Sequence, residues 1–163
     1  MKRLLFVLIG SLAFASFNFA QDSEIGGTFL FNSSTNTMIG GGLNIGGSSY
    51  FNDVVGMAYT GNIMYAPYNG ATVIIIDSLI GLSFKVVDND DFSLPIAVGP
   101  YIDYVFAFGE SGAARGLNVG VGGSITAKIK TSETLKLYAR FQGAYAFLGG
   151  GELFLTPCIG LAF

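Results

Sequence analysis

Residues 134–147 read TLKLYARFQGAYAF, residues 148–151 read LGGG, and residues 152–163 read ELFLTPCIGLAF. In the first run Leu135, Leu137, Ala139, Phe141, Gly143, Tyr145 and Phe147 alternate with Lys136, Tyr138, Arg140, Gln142, Ala144 and Ala146. A period of two means a strand with one apolar and one wetter face. Gly149-Gly150-Gly151 supplies hairpin chemistry. The second run alternates in the same way through Leu153, Leu155, Pro157, Ile159, Leu161 and Phe163. A strand closing on an exposed aromatic suits a membrane interface better than water.

Composition points the same way. Charged residues make up 12% of the 163 and hydrophobic ones 51%, against about 25% charged in an ordinary soluble domain. A helical membrane protein would carry runs of about 20 apolar residues, and none occurs after residue 20. The 24 glycines favour close strands and tight turns over helices. In lipid every backbone N–H and C=O must be paired within the protein, so a sheet of such strands has to close on itself.

Residues 1–20 read as a signal peptide, with basic Lys2 and Arg3, an apolar stretch, and cleavage sites after Ala15 or Ala20. The alternative, an uncleaved anchor helix, is interrupted by Gly10, Ser11 and Asn18. Residues 21–163 are then one barrel domain. Losing Lys2 and Arg3 leaves 6 basic against 11 acidic residues, a net charge of −5, which disfavours nucleic acid as a partner. Cys158 has no second cysteine to pair with.

Eight strands follow the leader: Glu24 to Phe31, Met38 to about Gly47, Val54 to Ala66, Ala71 to Val87, Phe92 to Phe108, Leu117 to Lys130, and the two read first. The end of the second and the start of the third are open across Ser48 to Asp53. Asn32–Thr37, Pro67–Gly70, Gly109–Arg115 and Gly149–Gly151 are outer turns, and Asn69-Gly70 provides the positive φ a hairpin needs. Pro95, Pro100 and Pro157 fall inside strands, where gaps or bulges are expected. Residues 71–76 are apolar on both faces, but Ile80, Leu82 and Phe84 fix the parity and turn Val73, Ile75, Asp77 and Leu79 inward.

Eight antiparallel strands of about 9–11 spanning residues in roughly 143 residues match the smallest membrane barrels. The chain resembles the eight-stranded outer-membrane barrels of the outer-membrane protein A and X type over residues 21–163. The resemblance rests on the signal peptide, the strand count, the aromatic positions and the closing Leu153-x-Leu155-x-Pro157-x-Ile159-x-Leu161-x-Phe163 pattern. It implies an all-β, up-and-down transmembrane barrel in the outer membrane of a diderm bacterium, monomeric and in contact with outer-membrane lipid. It also implies that Phe163 is read by the barrel-assembly machinery. The short outer turns depart from many members of that class.

An eight-stranded barrel is just filled by its own side chains. The inward parity collects small residues and a polar network of Asp77, Asp103, Arg140, Lys128, Lys136 and Glu152. Asp103 and Asp77 are the expected partners of Arg140, taken as the only Arg within a strand. Lys85, Lys128 and Lys136 belong near the periplasmic mouth and Glu152 at the outer rim. Such a network is either a structural plug or a narrow path for ions or small solutes. The absence of His removes Ser-His chemistry and His-ligated metals, so neither enzyme activity nor a cofactor is expected. A soluble periplasmic barrel carrying a hydrophobic ligand is a third reading, and it requires the opposite facing, apolar inside and polar outside. No sequence signature specifies a surface partner.

Overall fold

The computed structural model describes residues 22–32, 38–109, 112–148 and 151–163. The signal-peptide reading of residues 1–20 lies outside them, as do parts of three turns. The described chain forms β1 (Asp22–Asn32), β2 (Met38–Tyr50), β3 (Val55–Tyr68), β4 (Ala71–Asp88), β5 (Phe92–Gly109), β6 (Gly112–Lys130), β7 (Lys136–Leu148) and β8 (Glu152–Ala162). Each strand is antiparallel to the next, and β8 pairs back onto β1 to close the barrel. Backbone bonds of 2.8 Å in both directions between Ser23 and Phe163 extend that seam.

The turn after β3 is tighter than its sequence implies. Pro67 and Tyr68 stay in the ladder, opposite Thr72 and Ala71. Only Asn69 (φ 48°) and Gly70 (φ 76°) turn, because two consecutive positive φ values give the two-residue turn whose twist matches the flanking strands. Ser48 to Tyr50 belong to β2. The proposed Gly109–Arg115 loop is mostly strand, since the β5–β6 ladder runs up to Gly109 opposite Gly112. Arg115 is therefore a strand residue, and Arg140 is not the only Arg in a strand. Small residues there suggested a loop, but Ala113 and Ala114 pair readily with Phe108 and Ala107.

Pro95, Pro100 and Pro157 coincide with interruptions in the ladders, whereas Pro67 sits in a continuous one. Pairing skips from Thr28–Cys158 to Phe31–Leu155 across Pro157. It skips from Leu79–Tyr101 to Leu82–Val98 across Pro100. Near Pro95 it skips from Ile96–Ile125 to Ser93–Lys128, and the neighbouring β4 shifts register between Lys85 and Val87. A proline has no N–H for the ladder, so pairing fails locally while the side-chain alternation persists.

The outward face is apolar. Val121 is 55% and Phe141 53% exposed, while their chain neighbours Gly122 and Gln142 are buried. Ile25, Leu43, Ile63 and Ile159 share the outward face. This is the facing a lipid-bound barrel needs, and the reverse of a soluble barrel with an apolar interior and a polar coat. The wall is uneven in length. β4 and β5 have 18 residues and β6 has 19, against 11 in β1 and β8. β7 pairs with β6 only as far as Val119, so Gly112–Asn118 of β6 overhangs it.

The barrel lumen as the candidate functional site

The connections after β1, β3, β5 and β7 mark one end of the barrel, called outer here, and Asp22 and Phe163 mark the other. Three layers fill the lumen between them. The inner layer is ionic. Glu24 on β1 receives Arg140 Nη2 from β7 through one carboxylate oxygen and Lys128 Nζ from β6 at 2.8 Å through the other. Lys128 also reaches Asp22 at 3.1 Å, and Lys136 reaches Asp22 at 2.8 Å. The side chains of Glu24, Lys128 and Arg140 are 1–3% exposed, so each charge depends on these partners rather than on bulk water. Arg140 Nε further donates to Thr126 Oγ1 at 2.9 Å, and its guanidinium lies 5.4 Å from the Tyr138 ring centre.

The middle layer is a hydrogen-bonded chain. Tyr138 Oη donates to Asn44 Oδ1, Asn44 Nδ2 to Asn62 Oδ1, and Asn62 Nδ2 to Asp77 Oδ1, each at 2.7 Å. The Tyr138 ring fits because Gly26 and Gly160 line the β1–β8 seam beside it. A Cβ on Gly26 would stand 2.6 Å from Tyr138 Oη, and one on Gly160 2.8 Å from Cε1. Thr60 Oγ1 donates to Gln142 Oε1 at 2.5 Å across the lumen.

Above this lies an apolar layer of Leu30, Met64, Ile75, Leu79, Tyr101 and Phe154, each at most 2% exposed. Tyr101 and Phe154 rings pack at 5.9 Å. Asp103 sits directly opposite Asp77 in the β4–β5 register and accepts from Asn118 Nδ2 at 2.7 Å. Glu152, at the outer rim, accepts from Asn32 Nδ2 at 2.9 Å. Beyond the apolar layer the lumen opens as a cup of about 300 Å³.

The six residues expected to form one polar network therefore divide. Lys128, Lys136 and Arg140 gather at the inner end. Asp77, Asp103 and Glu152 lie toward the outer end and form no ion pair among the described residues. The expected pairing of Arg140 with Asp103 or Asp77 is incorrect, and Glu24 holds it instead. Stagger is the physical reason. Arg140 pairs with Thr126, and the next residue, Ile125, pairs with Ile96 of β5. Asp103 is seven residues farther along that strand, about 23 Å at ~3.3 Å per residue. Glu24 and Asp22 were legible in principle, because Ile25, Phe29 and Phe31 facing out force the even positions of β1 inward. Lys85, placed at the inner mouth, pairs with Asp88 at 2.7 Å.

No family model and no curated protein matches the sequence. Solved structures do. The attachment invasion locus protein Ail of Yersinia pestis matches with TM-score 0.66 and 12% identity, over 87% of this chain and 98% of its own. Neisserial surface protein A matches with TM-score 0.69 and 10% identity, over 86% and 94%. The outer membrane protein OprG from Pseudomonas aeruginosa matches with TM-score 0.60 and 12% identity, over 88% and 95%. The likeness is one of fold: this chain is an eight-stranded barrel built as those are.

Proposed function

We propose that this chain, which has the fold of the small outer-membrane barrels, is an integral outer-membrane protein of a diderm bacterium. Its role is that of a non-enzymatic anchor with a plugged lumen, presenting its outer rim to the surroundings. The carrying observation is the filled lumen, an ion cluster below and an apolar layer of Leu30, Met64, Ile75, Leu79, Tyr101 and Phe154 above. An ion crossing it would shed its water against hydrocarbon, which is strongly unfavourable. The overhanging Gly112–Asn118 edge supports the surface role, since its backbone groups have no β7 partner and an unpaired edge is a ready contact for another chain.

On this reading residues 1–20 direct export, the barrel-assembly machinery reads Phe163, and the mature chain is monomeric. Planar-bilayer recording of the refolded mature protein tests the plug. Traces indistinguishable from bare lipid are expected. Discrete, ion-selective steps would replace the anchor with the narrow channel.

A further inference from the structure

Charge is distributed unequally along the lumen. The inner layer holds three cations, Lys128, Lys136 and Arg140, against Asp22 and Glu24. The outer part holds Asp77, Asp103 and Glu152 with no ion-paired base among the described residues. Arg115 lies at the rim, exposed, on the same parity as outward Leu117. The cup of about 300 Å³ has walls that include Met38, Tyr68, Val73, Val105, Ala107 and Phe154. Asn32, Asn118, Glu152 and Arg115 supply its polar groups, and Arg115 forms no ion pair with Glu152.

Two buried acceptors here lack a hydrogen-bond donor, one on Asn32 in the lining of the cup and one on Asp103 below it. Asn32, 2% exposed, commits its amide nitrogen to Glu152, and its Oδ1 has no partner. Asp103, 0% exposed, takes one bond from Asn118 through Oδ1, and its Oδ2 has none. Buried acceptors and uncompensated carboxylates call for donors and positive charge. The walls around them call for hydrocarbon.

We infer that the outer cup binds a small organic cation, a protonated amine carrying a compact apolar body. An ammonium group brings three N–H donors and a charge. It answers the Glu152 carboxylate and the free Asn32 oxygen together, with the Asp103 carboxylate just beneath Asn118 adding attraction. At about 30 Å³ per water, the cup has room for roughly ten non-hydrogen atoms. Larger lipid chains and polymers do not fit within it. A carboxylate ligand meets Glu152, with Asp103 beneath it, and a neutral alcohol leaves the Glu152 charge without a counter-charge. The cup rests on the anchor reading only for which side of the membrane it faces.

The test uses the full mature chain in lipid nanodiscs, where both mouths meet solvent. Binding is followed through the methyl chemical shifts of Met38, Val73 and Val105. Cyclopentylammonium, cyclopentanol and cyclopentanecarboxylate serve as probes. The ammonium is expected to give saturable shifts at millimolar concentration or below, the alcohol to bind about tenfold more weakly or worse, and the carboxylate not to bind. Glu152→Gln should weaken the ammonium about tenfold, and Ala107→Phe, which fills the cup, should abolish its binding. Heat-modifiable gel migration verifies that each variant is folded. Equal affinity for all three probes, an unchanged Glu152→Gln variant, or no saturable shift with the folded parent would overturn the assignment. None of these outcomes depends on conductance, so the plug stands or falls separately.

Discussion

Glu24→Gln should be among the most damaging single changes in this barrel. The Glu24 carboxylate is held between Arg140 and Lys128, and all three side chains are 1–3% exposed. Gln keeps the shape but removes the charge, leaving Arg140 without a carboxylate and Lys128 with Asp22 alone, at 3.1 Å. Breaking a buried pair by removing one partner costs about 3–5 kcal/mol. Arg140→Met is milder, because Glu24 retains Lys128 at 2.8 Å. A charged hydrogen bond contributes about 1.5–3 kcal/mol, which sets its expected size. The double variant should show coupling of about 1–3 kcal/mol, since two residues in one network do not act independently. The assay is urea unfolding of the barrel in phospholipid vesicles, read by tyrosine fluorescence and heat-modifiable migration. A parallel cycle of Arg140→Met with Asp103→Asn should be additive within about 0.5 kcal/mol. Coupling in the Asp103 cycle and none in the Glu24 cycle would refute the layered lumen.

Arg placed at Val121 or Phe141 should destabilise the refolded barrel by about 2–4 kcal/mol in a bilayer, whereas equal refolding yields in lipid would mean that these side chains do not face it. Deleting Phe163 removes both backbone bonds to Ser23, about 2 kcal/mol at ~1 kcal/mol each. By the class resemblance it should also lower the amount in the outer membrane while leaving export intact, as fractionation and immunoblotting would show. Asn69→Ala should cost about 1–2 kcal/mol because Ala tolerates φ near +48° poorly. Equilibrium unfolding measures it, and an unchanged midpoint would argue against this two-residue turn.

How much was legible follows from what each sequence pattern encodes. Alternation in TLKLYARFQGAYAF fixes which side chains share a face, so the outward set and the closed sheet could be read directly. Asn69-Gly70 fixed a turn chemically. Alternation says nothing about how far one strand slides past the next, and this is why Arg140 was assigned to Asp103 rather than to Glu24. β4 posed a different problem: Val73 and Ile75 are as apolar as the outward Ile74 and Ile76, and although parity turned Val73, Ile75 and Leu79 inward, one strand alone does not show that side chains of other strands join them in a hydrocarbon layer. Leu30 and Phe154 add to that layer from strands whose inward positions are otherwise mostly small or polar. Asp22 and Glu24 were obscured by their place next to the leader, where charge reads as a boundary rather than as lumen lining.

The β1–β8 seam has a kinetic consequence. Seven of the eight pairings join strands adjacent in sequence and form locally, hairpin by hairpin. The eighth joins residues such as Thr28 and Cys158, 130 positions apart. Bringing distant segments together carries the loop-closure entropy before any contact rewards it, so high contact order slows folding. Until the seam forms, the free edges of β1 and β8 would each present a row of unpaired N–H and C=O groups, at several kcal/mol apiece in hydrocarbon. A partly assembled sheet thus has no stable resting place inside the bilayer. On the outer-membrane reading, insertion and closure proceed together, and the seam, already interrupted at Pro157, is the expected slow step of both.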